Sequence, residues 1–220
     1  MAEKKRPRRT RERILEMSLD LFNRFGEPNI TTADIADEMN ISPGNLYYHF
    51  RNKDEIIGEL FAAYEARVLP LLAVPEGRRV DVEDLWLLLH LLQEEMWAAR
   101  FLFRDLDELA SRNRRIGARF GELLRRGVAT VIELARGMVA AGRMRASESE
   151  IAALALNVVL VATYWQSFER MGRALHAREP GVDFGRGAYQ VLSLIAPYLS
   201  GNDRRLLDRL GNDYLWNGGS

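Results

Sequence analysis

Apolar residues recur along this chain at intervals of three and four rather than in alternation, and that spacing predicts helices from end to end with no convincing strand. A first helix is expected over 10–25. Ile14, Met17, Leu21 and Phe25 form one stripe, Leu15 and Phe22 flank it, and Gly26 is placed to act as a C-terminal cap. Next comes a helix starting at Thr31 or Thr32, where Thr31 and Asp34 make a capping pattern; Ile35, Ala36 and Met39 share a face, and the helix ends by Asn40. Ser42 is a good N-cap and Pro43 suits the first helical position, so another short helix is expected over 43–50. Asn52 and Glu55 repeat the capping pattern and open a linking helix over 53–72, whose Ile56, Ile57, Leu60, Phe61 and Tyr64 face back onto the first three. Pro70 and residues 75–77 are expected to break it, and a tilt at one of its ends would move the other.

The rest of the chain continues in the same pattern. Helices are expected over 82–99 (Leu85, Leu88, Leu89, Leu92, Met96), 103–112, 113–141 (Ile116, Phe120, Leu123, Leu124, Val128, Val131, Ile132, Ala135), 148–171, 184–199 and 203–216. Ser147 and Glu150 cap the fourth of these. Its core, IAALALNVVLVATYW, is apolar nearly all round. With 15 residues, and with Asn157 and Thr163 inside, it reads as too short and too polar for a membrane span. One stripe (Ile151, Leu154, Val158, Ala162, Trp165) is expected inside the subunit, while Ala155, Val159 and Leu160 meet a second copy together with Tyr189, Leu192 and Ile195.

The helix over 43–50 changes this from a generic helical bundle. Leu46 and Phe50, four apart, turn inward, leaving Gly44, Asn45, Tyr47, Tyr48 and His49 outward, a heavy aromatic load for a surface helix with so few charges. Two short helices joined by a tight turn, the second carrying such a face, read as a device for reading DNA. The formal net charge of zero gives no global pull towards nucleic acid, so the distribution of charge matters. Residues 1–13 hold seven basic side chains (Lys4, Lys5, Arg6, Arg8, Arg9, Arg11, Arg13) against Glu3 and Glu12, a net +5 that favours phosphate contact beside such a motif over a merely solubilising tail.

The stretch TTADIADEMNISPGNLYYHFRNKDEI resembles the helix-turn-helix of the tetracycline repressor (TetR) family of bacterial transcription regulators. The likeness rests on a small residue before Asn45, then Leu46, Tyr47, Tyr48, His49 and Phe50, a basic residue at 51 and Lys53 opening the next helix, in register with the Ile-Ala helix before it. It covers about the first quarter of the chain; the remainder is similar in helical layout and length. The resemblance implies an all-α protein with an N-terminal three-helix DNA-binding head and a larger C-terminal helical domain for ligand binding and dimerisation. On that basis residues 1–9 are a flexible basic arm, 10–53 the head, and 54–220 the effector and dimer domain. DNA contacts are expected from Thr31, Thr32, Ser42, Gly44, Asn45, Tyr47, Tyr48, His49 and Lys53. Family members often read bases with a polar residue where this chain has Ala33, which shifts base contacts to Thr32, Gly44, Asn45 and Tyr47.

The implied partners are a palindromic double-stranded operator, a second copy of the chain, and a small apolar effector held among Trp86, His90, Gln93, Trp97, Phe120, Leu124, Tyr164 and Phe168. For His90 and these aromatics, ordinary hydrogen-bonded core is the competing reading. A constitutive or architectural DNA-binding dimer with no effector is the alternative function.

Composition excludes little else. In 220 residues, 47% hydrophobic and 28% charged, there is room for a real core, and the absence of cysteine removes disulfides, thiol nucleophiles and thiolate metal sites. His49, His90 and His176 are far apart and sit in no metal or nucleophile motif, so neither catalysis, a metal nor a cofactor is expected. With no apolar N-terminal stretch, a cytoplasmic protein without membrane attachment is expected.

Overall fold

The computed structural model describes residues 7–73, 81–173 and 184–216. Among them every regular element is helical, apart from one isolated antiparallel bridge between Met144 and Leu199. In order these are α1 (Pro7–Phe25), a 3-10 turn (Glu27–Asn29), α2 (Thr32–Glu38), α3 (Pro43–His49), α4 (Lys53–Leu71), α5 (Val82–Ala98), α6 (Phe101–Arg104), α7 (Leu106–Arg112), α8 (Arg114–Ala140), α9 (Glu148–Arg173), α10 (Phe184–Ile195), a second 3-10 turn (Ala196–Tyr198) and α11 (Gly201–Trp216).

Local chemistry accounts for most boundaries. Thr31 and Asp34 form a full capping box at the start of α2, Ser42 caps α3 and Asn52 accepts from the Glu55 amide at 2.9 Å in the first turn of α4. Ser147 and Glu150 exchange the same bonds before α9. The turn between α2 and α3 is a Schellman closure: the Ile41 amide bonds Ala36 O and the Asn40 amide bonds Asp37 O, both at 3.0 Å, with Asn40 at φ 53°. Asparagine tolerates this left-handed geometry, and so α3 can start with only four residues between it and the end of α2.

Several boundaries differ from the sequence pattern. Helix α1 begins at Pro7, so Arg8 and Arg9 belong to the helix rather than to a loose arm; residues 1–6 lie outside the described residues. Pro70 does not break α4 but sits in its last turn, and residues 75–77 also lie outside the described residues. The single helix expected over 103–112 is two, because Asp105 takes φ −133° and ψ 43° and interrupts the helical path. The last turn expected of α10 tightens into the 3-10 turn containing Pro197.

The chain divides into two compact units, residues 1–66 with 99–117 and residues 67–98 with 118–220. In the first, Ile14, Phe22, Ile35, Leu46, Phe50, Ile56, Ile57, Phe61 and Leu102 are wholly buried. Segment α6–α7 is part of this core: the Phe101 ring lies 5.4 Å from Phe22, Phe103 meets Tyr64 edge-on at 5.6 Å, and the Phe101 amide donates to Asn23 Oδ1 at 3.1 Å. Gly26 sits at φ 90°, a backbone conformation that L side chains rarely adopt, and a Cβ there would also approach the Arg104 guanidinium carbon to 3.3 Å.

The second unit buries residues from α5, α8, α9, α10 and α11 around Leu89, Leu134, Met138, Ile151, Leu154, Val191, Leu192 and Ile195. One interface expectation is corrected here. Leu192 and Ile195 of α10, and Ala155 of α9, are buried in the subunit's own core and offer nothing to a partner. Over Glu148–Met171, α9 is long and apolar enough to cross a membrane by length and composition alone, a test that the core helix of a soluble protein also passes. Ile151, Leu154, Ala155 and Val158 face the core, leaving Leu156, Leu160, Tyr164, Phe168 and Met171 exposed along the opposite side.

Candidate nucleic-acid interface

Helix α3 is rooted by its apolar side and presents its polar one. Leu46 and Phe50 are wholly buried, Tyr47 is 51% and Tyr48 79% exposed, Gly44 and Asn45 are exposed and His49 is half-buried. The Ser42 hydroxyl accepts the Asn45 amide at 3.2 Å, which fixes the start of the helix but also commits that oxygen to capping. The Tyr48 and His49 rings meet edge-on at 5.1 Å, so two side chains of this face are held in one arrangement.

Helix α2 supports the same surface. Thr32 Oγ1 and Tyr47 Oη share a hydrogen bond at 3.0 Å in which either hydroxyl can donate, tying the first turn of α2 to the middle of α3. Thr31 is occupied with Asp34: its amide and its hydroxyl each donate to Asp34 Oδ2 at 2.7 Å. Hydrogen bonds from the Thr31 side chain, then from its backbone, hold the Asp34 carboxyl below its ordinary value, so the cap stays ionised. No spacing rule links Thr32 to Tyr47, and the sequence signals only that both carry hydroxyls.

Lys53 departs from the expectation of a free phosphate-seeking cation. Its ammonium donates to Glu27 O and Ile30 O, each at 2.9 Å, and lies 2.8 Å from Glu27 Oε1, so its charge is turned towards the protein. Arg11 is held at the surface of the head, 4.7 Å above the Phe50 ring centroid and 3.0 Å from Glu59. Arg51 keeps its side chain exposed while its amide donates to Glu55. The outward set is therefore Thr32, Gly44, Asn45, Tyr47, Tyr48 and His49, with Arg51 added. Hydroxyl, amide and imidazole groups on a short, firmly seated helix can meet phosphate oxygens and base edges.

A family model described as bacterial regulatory proteins of the tetR family matches residues 14–60, and a second, described as TetR bacterial transcriptional repressor, matches residues 63–207. The chain belongs to the TetR family. A TetR-family transcriptional regulator from Marinobacter aquaeolei VT8, known as a crystal structure, is 38% identical with a TM-score of 0.82, over 93% of this chain and 98% of that one. The probable acrEF/envCD operon repressor of Escherichia coli strain K12 is 34% identical over 53 residues, 24% of each chain. The transcriptional repressor KstR2 of Mycobacterium tuberculosis (strain ATCC 25618 / H37Rv) is 37% identical over 54 residues, 24% of this chain and 27% of that one. These two alignments span about a quarter of each curated relative. TetR-family members matched here are transcriptional regulators, not enzymes.

The residues expected to hold an effector all belong to the second unit, but they do not share one environment. The Trp86 and His90 rings stack at 5.3 Å, and His90 Nε2 lies 3.4 Å from Glu94 one turn on. Gln93 and Phe120 are buried, Trp97 and Leu124 half-buried. Tyr164 and Phe168 are exposed, Phe168 to 61%, because they fall on the outward stripe of α9. That placement removes both from an interior site.

Proposed function

We propose that this TetR-family chain is a sequence-specific, ligand-responsive DNA-binding regulator, a cytoplasmic repressor released from its operator by a small apolar effector. The observation carrying the DNA-reading part is α3 itself, anchored by Leu46 and Phe50 and presenting Asn45, Tyr47, Tyr48 and His49 outward. A recognition helix of seven residues covers few base pairs, and specific affinities of about 10⁻⁸ to 10⁻¹¹ M require two linked half-sites. A homodimer supplies them, its recognition helices about 34 Å apart on a palindromic operator. The exposed stripe of α9 from Leu156 to Met171 supports such a dimer, since a solvated apolar row along one helix is the feature that a second copy would cover.

Effector response rests on Trp86, His90, Gln93, Trp97, Phe120 and Leu124 of the second unit, a mostly apolar set with a few polar atoms. An effector acts by binding more tightly to the conformation that fits DNA less well. A binding selection from random duplexes with the full chain, repeated in the presence of apolar small molecules, tests both parts. Enrichment of one palindrome that is lost with a particular compound is the expected result. A palindrome that no compound releases would favour the constitutive dimer, and no enrichment would defeat the DNA-reading assignment.

A further inference from the structure

The entry to the helix-turn-helix and its exit are both tied to one buried carboxylate. Glu27, the first residue of the turn before α2, is 5% exposed, and its Oε1 lies 2.8 Å from both Lys53 Nζ and Arg112 Nη2. Lys53 is the first residue of α4, directly after the recognition helix, and it also holds Ile30 O, the carbonyl before the Thr31 cap of α2. Arg112 comes from elsewhere in the sequence: it is the last residue of α7, and its Nε also lies 3.7 Å from Asp54. Burial works against the Arg112 charge, but the hydrogen bond and attraction to Glu27, with Asp54 and Glu108 adding to them, more than offset it and raise its pKa above the ordinary value.

Fixed planar donors suit arginine to this bridge between two carboxylates. The backbone at 27–30 leads straight into Thr31 and Thr32, and Thr32 in turn holds Tyr47. A change in the grip on Glu27 therefore moves α2, and with it the phenol on the reading face. We propose that Arg112 is a positioning residue for DNA reading: from α7, outside the helix-turn-helix, it holds the Glu27 turn so that α2 and α3 present Thr32 and Tyr47 in the register that distinguishes the operator from other duplexes. The proposal rests on α3 as the reading helix. Loss of Arg112 leaves Glu27 paired with Lys53, so the head keeps a compensated charge and folds.

The test uses the duplex selected by the parent protein and a scrambled duplex of equal length, with Arg112→Gln, Arg112→Lys and Tyr47→Ala in the full chain. Arg112→Gln should lower the operator-to-scrambled affinity ratio about tenfold, chiefly through weaker operator binding, with scrambled-duplex affinity within about twofold of the parent. Arg112→Lys, which keeps the charge, should recover part of the ratio. If Arg112→Gln lowers the melting temperature but leaves the ratio unchanged, Arg112 is a stability residue and the proposal is overturned. If Arg112→Gln and Arg112→Lys weaken operator and scrambled duplex by the same factor, so that the ratio stays unchanged, the positioning role is likewise refuted. Tyr47→Ala separates the premises: if it too leaves the ratio intact, the reading-helix assignment fails, whereas a loss there with no change at Arg112 refutes only the present proposal.

Discussion

Glutamate at position 160 and glutamate at position 192 should have opposite consequences, although both positions read as interface from sequence. Leu160 is 56% exposed in the middle of the outward stripe of α9, whereas Leu192 is 1% exposed inside the second unit. Fully burying a leucine side chain contributes about 1.5 to 3 kcal/mol, so a residue with half its surface left to cover gives the dimer about 1 kcal/mol per copy, or about 2 by symmetry. A carboxylate there adds the cost of removing two unpaired charges from water, several kcal/mol more, and the total weakens dimerisation by about a thousandfold or greater. Leu160→Glu should therefore be monomeric by light scattering at concentrations where the parent is dimeric, with unchanged helical circular dichroism and only weak half-site binding. Leu192→Glu instead buries a charge in the core of a protein whose total stability is of the order of 5 to 15 kcal/mol, and should lose helical signal or cooperative melting. A fully dimeric Leu160→Glu would refute the α9 interface, and a stably folded monomeric Leu192→Glu would refute the assignment of α10 to the subunit core.

Three further outcomes follow from the head. Asn40→Gly should keep or slightly raise stability in urea titration while Asn40→Val costs about 1 to 2 kcal/mol, because only the former relieves the left-handed backbone at φ 53°. Tyr47→Phe removes the bond to Thr32 and should weaken operator binding by about 0.5 to 1.5 kcal/mol in a fluorescence anisotropy titration, with melting nearly unchanged. Asp34 has a depressed pKa in the folded state, so its contribution is present above the ordinary carboxylate value near 3.8 and is lost as pH falls through the lower folded value. Asp34→Asn should accordingly flatten the fall in melting temperature below about pH 4; an unchanged acid limb would mean that the cap does not contribute.

Helix positions, capping residues and the motif of α2 and α3 were legible in the sequence because each depends on neighbours within four residues. Thr31 with Asp34, Ser42 with Pro43, Asn52 with Glu55 and Ser147 with Glu150 carry their geometry in their spacing, and Leu46 with Phe50 announces which side of α3 is buried. The direction of a cation or of an apolar helix face is a different kind of fact. Lys53 reads as a phosphate contact until Glu27 and Ile30, remote in sequence, turn its charge towards the protein, and Arg112 shows no link to the motif until α7 brings it to Glu27. Helix α9 is apolar nearly all round, and although its period placed Ile151, Leu154 and Val158 inside, where they are buried, only packing against its neighbours added Ala155 to the core and left Tyr164 and Phe168 outside. Local hydrogen bonding and period are written in the order of residues, whereas burial and long-range ion pairs depend on which distant segments meet, and only the tertiary structure decides that.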